Sequence, residues 1–312
     1  MVTSVERAVG RDVIRRAPQR AGRLDRHRVA AAVFLSPALL IIGAFIVIPM
    51  GLTLWISFHR WSMFTSLTDM EWVGLDNYST VFTNSTHVAS ILNTAVYVGL
   101  SALITVPLAL LIALLLYFPH LRGRSVVRVI LFTTYVIPTV AIVIIWSQLY
   151  SPQYGPIDST LQVFGIDSPG WLSNPNAALV SLVIFNVWQM LGYYVVLVVA
   201  GLTQIPEDVY EAAKLDGAGP IRQTVSVTIP LLRSSLVFVI LMTAINSIQV
   251  FDPVYLLTQG GPVNSTMVLS FDIQRTAFQY GLAGEASAMA FSLLVLIAIV
   301  GGTVALAARR RA

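Results

Sequence analysis

The chain has 312 residues, of which 56% are hydrophobic and only 11% are charged. Soluble domains carry about 25% charged residues, so this composition excludes an ordinary soluble protein and predicts a polytopic membrane protein. The formal net charge is +4, and the absence of cysteine excludes disulfides, thiol catalysis and cysteine metal sites.

Residue content also argues against two kinds of chemistry. The four histidines, at positions 27, 59, 87 and 120, show no ligand spacing, so we predict no metal site. Lys214 is the only lysine, and Leu215 follows it where a Walker A loop needs Ser or Thr. We therefore expect no catalytic residue and no cofactor in this chain, and any nucleotide hydrolysis must come from a partner.

The chain begins with a basic tail, residues 1–28, which carries eight arginines. Val5, Val9 and Val13 recur every four residues and would suit a short interfacial helix. A disordered cytoplasmic tail is the simpler interpretation and the one we favour.

Six apolar segments follow, each about as long as the 20 residues that a helix needs to span a membrane. Pro37 and Pro49 predict a kink in the first, and Pro138 lies inside the third. The fold class is therefore all-α integral membrane, with spans at about 29–58, 88–118, 129–149, 177–202, 232–250 and 286–308.

The basic residues predict the orientation of the spans. Of the 19 Lys and Arg residues, 17 lie in the tail, around residues 119–128, in or beside residues 203–231, and in the C-terminal residues 309–312. The other loops hold only Arg60 and Arg275. Both termini and residues 203–231 are therefore predicted to face the cytoplasm.

Residues 203–231 are predicted to form a polar hairpin of two short helices. Pro206 suits the first position of a helix, and Asp216-Gly217 is typical of a helix end with Gly in the left-handed conformation. Pro220 can start the second helix. An ordinary inter-helix loop would need no partner, whereas small exposed residues favour a docking surface. The predicted partner-contacting residues are Glu207, Asp208, Glu211, Ala212, Ala213, Asp216, Gly217 and Pro220.

The spacing of this hairpin resembles a known family. Glu211-Ala212-Ala213 is followed after three residues by Gly217 and after nine more by Val227-Thr228-Ile229-Pro230. This pattern is similar to the EAA loop of ABC importer permeases, with Val and Ile replacing the usual Ile and Leu. Leu257-Thr258-Gln259-Gly260-Gly261-Pro262 further resembles carbohydrate permeases of the maltose type. The resemblance covers roughly residues 37–307.

The resemblance implies a permease subunit of an ATP-driven importer in the bacterial cytoplasmic membrane. It implies four kinds of contact: a second homologous permease, two ATP-binding cassette ATPase subunits that use ATP and magnesium, an extracytoplasmic substrate-binding protein, and membrane lipid. Nothing in the sequence suggests a nucleic-acid partner.

Polar side chains inside the spans are candidates for a transport pathway, because they usually face a cavity or another helix. Asn186, Gln189 and Tyr193 share one helix face, and Asn246, Gln249 and Phe251 follow in the next span. Carbohydrates need amides and aromatic rings, but the same residues could join helices to each other. The resemblance places Asn186 and Tyr193 at sugar-contacting positions.

Two other functions remain open at this stage. A permease for glycerol 3-phosphate or glycerophosphodiesters could use Arg275 to meet a phosphate. A secondary transporter or channel would need no docking hairpin and usually carries an intramembrane charge, which the predicted span interiors lack.

Overall fold

The computed structural model describes residues 21–117 and 123–309, so predictions for residues 1–20, 118–122 and 310–312 lie outside the described parts. The described chain is mostly helical. Its α-helices are α1 Ala21–Ile42, α2 Ile48–Ile56, α3 Asp76–Thr83, α4 Ser85–Tyr117, α5 Arg124–Val136, α6 Thr139–Leu149, α7 Pro156–Val163, α8 Pro175–Leu202, α9 Glu207–Leu215, α10 Pro220–Gln223, α11 Ile229–Leu231, α12 Arg233–Ile248, α13 Leu269–Gln274 and α14 Ala283–Arg309. One short antiparallel hairpin pairs β1 His59–Arg60 with β2 Glu71–Trp72.

Within the described residues, four helical segments are long and apolar enough to cross a membrane, at Ala31–Ile56, Ser85–Tyr117, Pro175–Leu202 and Ala283–Thr303. Two bent helix pairs raise the number to six if each pair is one span. The predicted multi-pass, mainly helical class is therefore confirmed, with the short hairpin of β1 and β2 added to it.

The chain divides into two compact units, and the first ends at Leu52. In its described part, α1 continues through a π-helical turn, Gly43–Val47, into the start of α2. Residues 21–28 are helical, which corrects the prediction that the tail is disordered up to residue 28. The turn lies just before Pro49, where a kink was predicted. Proline has no backbone N–H, so a hydrogen bond of the helix is missing there.

The third predicted span, residues 129–149, is a bent pair of helices in the structure. Helices α5 and α6 meet at 99°. Ile137, which precedes Pro138, is extended at ψ 133°. Proline disfavours helical geometry in the residue before it, so the break falls there.

The fifth predicted span bends where it leaves the polar hairpin. The segment Pro220–Leu231 and helix α12 meet at 68°. The segment contains a π-helical turn, Thr224–Thr228. The bend separates the hairpin from the apolar span.

Helix α8 is the centre of the second unit. Buried residues make up 61% of its apolar window, against 22% for α4 and 17% for α14. It packs against α4, α5 and α12. A Cβ built at Gly192 would lie 1.9 Å from the carbonyl oxygen of Leu131. Gly192 therefore permits the backbones of α5 and α8 to touch.

Candidate functional site

The end of α9 is built by a hydrogen-bonded glycine motif. The N–H of Gly217 donates to the carbonyl of Lys214 at 3.0 Å, and the N–H of Ala218 donates to that of Ala213 at 2.9 Å. These two bonds define a Schellman motif. Gly217 has φ +76°, which confirms the predicted left-handed helix end.

The start of the hairpin differs slightly from the prediction. Pro206 is extended at ψ 143° and lies just before the helix, so it is the N-cap residue rather than the first helical residue. Glu207 and Asp208 do occupy the first turn, where carboxylates meet the positive end of the helix dipole. Pro220 begins α10 as predicted.

One face of the hairpin packs against the membrane-spanning helices. Val209 and Tyr210 contact a buried apolar cluster that includes Leu202 and Leu232. The Oγ1 atom of Thr228 donates to the hydroxyl oxygen of Tyr210 at 3.3 Å, which joins the two arms of the hairpin. The hairpin is therefore fixed to the ends of α8 and α12.

The opposite face is open to a partner. Of the predicted contact residues, Ala213 is half-buried and the others are exposed: Glu207, Asp208, Glu211, Ala212, Asp216, Gly217 and Pro220. A Cβ built at Gly217 would meet nothing within 4 Å. Leu215 and Ile221 are 90% and 82% exposed, and sequence reasoning missed both. Their signal was present, since they are large apolar residues inside a polar segment.

A pocket of about 300 Å³ lies between the hairpin and the ends of α4 and α8. Glu207, Glu211 and Lys214 line it from α9, and Tyr117 lines it from the end of α4. The two carboxylates outnumber the one amine, so the charge of this pocket favours a basic or hydrogen-bond-donating group.

Asn186 and Tyr193 are half-buried on α8, one above the other along the helix. The Nδ2 atom of Asn186 lies 3.4 Å from the Oγ atom of Ser101 on α4, which is a long hydrogen bond. The ring of Tyr193 stacks on Tyr135 of α5, with centroids 4.6 Å apart and planes at 18°. Tyr135, which sequence reasoning missed, is 40% exposed and completes an aromatic platform.

Gln189 is placed differently from its two neighbours in the predicted set. Its side chain is 3% exposed, and Nε2 donates to Oγ1 of Thr139 on α6 at 3.0 Å. A buried amide needs such a partner. In this structure Gln189 joins α8 to α6, which favours the helix-joining alternative for this residue; its place in the pathway stays a prediction.

The predicted residues around the end of α12 divide into two groups. Asn246 is exposed, and its Nδ2 donates to the Tyr194 hydroxyl at 3.1 Å, so it lies beside the α8 tyrosines. Gln249 is exposed at the end of the helix. Phe251 is half-buried and stacks on Tyr255, with centroids 5.4 Å apart. The structure thus brings Asn246 close to Tyr193 through Tyr194, and places Phe251 in a separate aromatic group.

Sequence reasoning also missed a buried charged cluster. His87, at the start of α4, bonds Asp272 of α13 and Glu285 of α14. Asp158 of α7 is buried as well, and accepts hydrogen bonds from Ser168 and from the indole of Trp171, both at 2.6 Å. No local signal could find the first cluster, because Asp272 and Glu285 lie 185 and 198 positions from His87.

Arg275 does not stand free. Its guanidinium carbon lies 5.2 Å from the ring centre of Tyr280. It lines a pocket of about 210 Å³ that Asp272 and Glu285 also line. Within residues 21–117 and 123–309, no group of histidine and acidic residues has the arrangement of a metal site.

The chain is similar to known membrane components of transport systems. Residues 105–312 match the family model described as binding-protein-dependent transport system inner membrane component. The chain is 32% identical over 271 residues to the trehalose/maltose transport permease MalF of Thermococcus litoralis, covering 86% of this chain and 90% of that protein. It is also 32% identical over 288 residues to the diacetylchitobiose uptake permease NgcF of Streptomyces coelicolor, covering 88% and 81%.

Solved structures show the same fold. A chain of a bacterial ABC transporter that imports the acidic polysaccharide alginate matches with a TM-score of 0.80 and 22% identity, covering 94% of this chain and 99% of that one. The alginate transporter in complex with its pentasaccharide-bound periplasmic protein matches with a TM-score of 0.79.

Proposed function

The chain belongs to the family of binding-protein-dependent transport system inner membrane components, and from that premise we propose that it forms the pathway for a carbohydrate in an ATP-driven importer. In this proposal the chain crosses the membrane six times, with each of the two bent helix pairs counted as one span. The hairpin at residues 203–231 is its coupling element.

The observation that carries this proposal is the open face of the hairpin. The glycine motif at Gly217 ends α9 sharply, and two large apolar side chains, Leu215 and Ile221, stand exposed on a segment with charged residues around them. Exposed apolar side chains within a polar rim are typical of protein interfaces. A cytoplasmic ATPase subunit is the partner that this surface fits.

Four further subunits complete the importer in this proposal: a second permease, two ATPase subunits that bind ATP and magnesium, and an external binding protein. The structural relative in complex with a periplasmic protein supports the last of these. The distribution of basic residues supports an orientation with both termini and the hairpin in the cytoplasm.

The cargo follows from the chemistry of the pathway residues. Asn186 and Asn246 offer amides, and the stacked rings of Tyr193 and Tyr135 offer an aromatic surface. Sugar hydroxyls pair with amides, and the apolar face of a pyranose packs on a ring. All four side chains are uncharged, which favours a neutral saccharide.

A phosphate-bearing cargo is less well supported. Among the described residues on the predicted outer side, the Arg and Lys residues are Arg60 and Arg275. Arg60 pairs with Glu71 at 3.2 Å. Arg275 lies over Tyr280, beside Asp272 and Glu285. Neither guanidinium is set apart to receive a phosphate.

Uptake measurements test the proposal. The complete assembly, with its binding protein, is reconstituted in proteoliposomes and supplied with a panel of labelled neutral oligosaccharides and labelled glycerol 3-phosphate. We expect ATP-dependent uptake of at least one oligosaccharide and none of glycerol 3-phosphate. Uptake of glycerol 3-phosphate alone would overturn the carbohydrate assignment, and uptake without ATP would overturn the coupling.

A further inference from the structure

We infer that His87 is a positioning residue for transport, an inference that rests on the proposed function. It fixes the segment between α12 and α14 against the start of α4. We refer to the cluster of His87, Asp272 and Glu285 as the outer clamp. The bonds of the three side chains described above join them to each other and not to a predicted pathway residue, so the clamp acts through the segment that it holds.

The clamp is a buried bridge between three parts of the chain. His87 Nδ1 lies 2.7 Å from Asp272 Oδ2, and Nε2 lies 2.5 Å from Glu285 Oε1. The three side chains are 6%, 2% and 16% exposed. An ionised carboxylate only accepts hydrogen bonds, so with both carboxylates ionised both ring nitrogens donate. Such charge-assisted bonds are about twice as strong as neutral ones.

The clamp continues as a seam of hydrogen bonds along α4. Asn93 Nδ2 donates to the carbonyls of Asn264 and Met267, at 2.9 and 3.0 Å. The N–H of Leu269 donates to Oγ1 of Thr94 at 2.8 Å. His87 and Thr94 are seven residues apart, and therefore lie on one face of the helix. Together with Asn93, these residues of α4 bond Asn264, Met267, Leu269 and Asp272.

The held segment carries an aromatic group next to the pathway. Phe271, the neighbour of Asp272, has its ring centre 6.3 Å from that of Phe251 and 6.2 Å from that of Tyr255. Phe251 is a predicted pathway residue that follows α12. When His87 fixes Asp272, it also fixes the surface against which Phe251 and Tyr255 pack.

The clamp and the coupling hairpin lie at opposite ends of α4. His87 is in the first turn of the helix, and Tyr117, its last residue, lines the hairpin pocket. Thirty residues of α-helix separate them by about 45 Å. A change at His87 therefore leaves the ATPase-facing surface intact, and the two roles can be tested separately.

The test measures amide hydrogen exchange of residues 266–282 in the complete assembly in lipid nanodiscs. His87→Ala removes the imidazole that bridges the two buried carboxylates. We therefore expect the amides of residues 266–282 to exchange at least about tenfold faster than in the unaltered protein. The triple variant His87→Ala/Asp272→Asn/Glu285→Gln removes the charges as well and guards against misfolding. The matched control is Ser90→Ala, one turn along α4, whose hydroxyl bonds only the carbonyl of His87.

A second readout separates positioning from simple structural support. In Asp272→Asn/Glu285→Gln, a neutral imidazole can still donate to one amide and accept from the other, so we expect exchange between that of the control and that of His87→Ala. We expect initial uptake rates to fall in the same order, while the affinity of the binding protein for sugar stays constant.

Two results would overturn the inference. One is exchange in both His87→Ala variants equal to that of Ser90→Ala. The other is faster exchange with an unchanged uptake rate. Absence of carbohydrate uptake by the unaltered assembly would instead overturn the proposed function, and that result is obtained without any clamp variant.

Discussion

At the scale of single residues, the two glycines of the hairpin differ in backbone conformation but not in the free space around them. Gly217 has φ +76° and Gly219 has φ −70°, and a Cβ built at either would meet nothing within 4 Å. Only Gly217 is in the left-handed conformation, which residues with a Cβ rarely adopt. A substitution at Gly217 therefore acts through backbone strain and through the partner, not through a clash within the chain.

We predict that Gly217→Ala weakens ATPase association or uncouples ATP hydrolysis from uptake, because a Cβ in the left-handed region costs about 1–2 kcal/mol. Gly217→Val should do so more strongly, since a bulky residue also blocks close approach. Gly219→Ala is the matched control. Co-purification of the ATPase and uptake per ATP hydrolysed are the measurements; equal values for Gly217→Val and Gly219→Ala would contradict the docking role.

The neighbouring amides Asn186 and Gln189 should respond differently to truncation. Asn186→Ala should lower the apparent affinity of transport about 2- to 13-fold while assembly is unchanged, since one hydrogen bond is worth about 0.5–1.5 kcal/mol. Gln189→Ala should instead lower thermal stability, because it leaves Thr139 on α6 without its partner. Uptake kinetics and the melting temperature, measured on both variants, distinguish a transport role from a structural one. If the two variants had the same uptake kinetics and the same melting temperature, Asn186 would join helices rather than contact the substrate.

At the scale of elements, hydropathy and proline positions predicted most of the fold. The apolar segments 177–202 and 88–118 agree with α8 and with the described part of α4 to within about three residues. Pro138 lies inside the third predicted span, but neither the end of α5 there nor the 99° angle between α5 and α6 was predicted. The helix end at Gly217 was readable since its signal is local. The outer clamp was not, because His87 lies 185 and 198 positions from its two carboxylate partners.

The contact between α5 and α8 depends on the missing side chain at Gly192. We predict that Gly192→Ala destabilises the assembled protein by about 1–3 kcal/mol, as overpacking typically does, because the new Cβ would lie 1.9 Å from the Leu131 carbonyl oxygen. Gly99→Ala, also inside a span but with open space around it, is the control. Thermal unfolding of both variants in detergent is the measurement, and equal melting temperatures would show that α5 can move away freely.

At the scale of the whole molecule, charge is distributed unevenly between the two predicted sides. The lack of cysteine in the chain permits a direct test of orientation. Gln153 and Ser226 are both exposed, one in the loop before α7 and the other in the hairpin. Gln153→Cys should react with an impermeant maleimide in intact cells, and Ser226→Cys should react only after lysis. The reverse pattern would contradict the predicted topology and the access of an ATPase to the hairpin.

The length of α4 has a consequence for the lipid around the protein. Its 33 residues extend about 50 Å, whereas the hydrocarbon core of a bilayer is about 30 Å thick. Tilting by up to about 40° still leaves part of the helix outside that core. Both ends are also fixed, one by the bonds of His87 and the other by the packing beneath the hairpin. A change in bilayer thickness therefore has to be met by tilt of the whole helix or by deformation of the lipid, which makes acyl-chain length a mechanical variable for this protein.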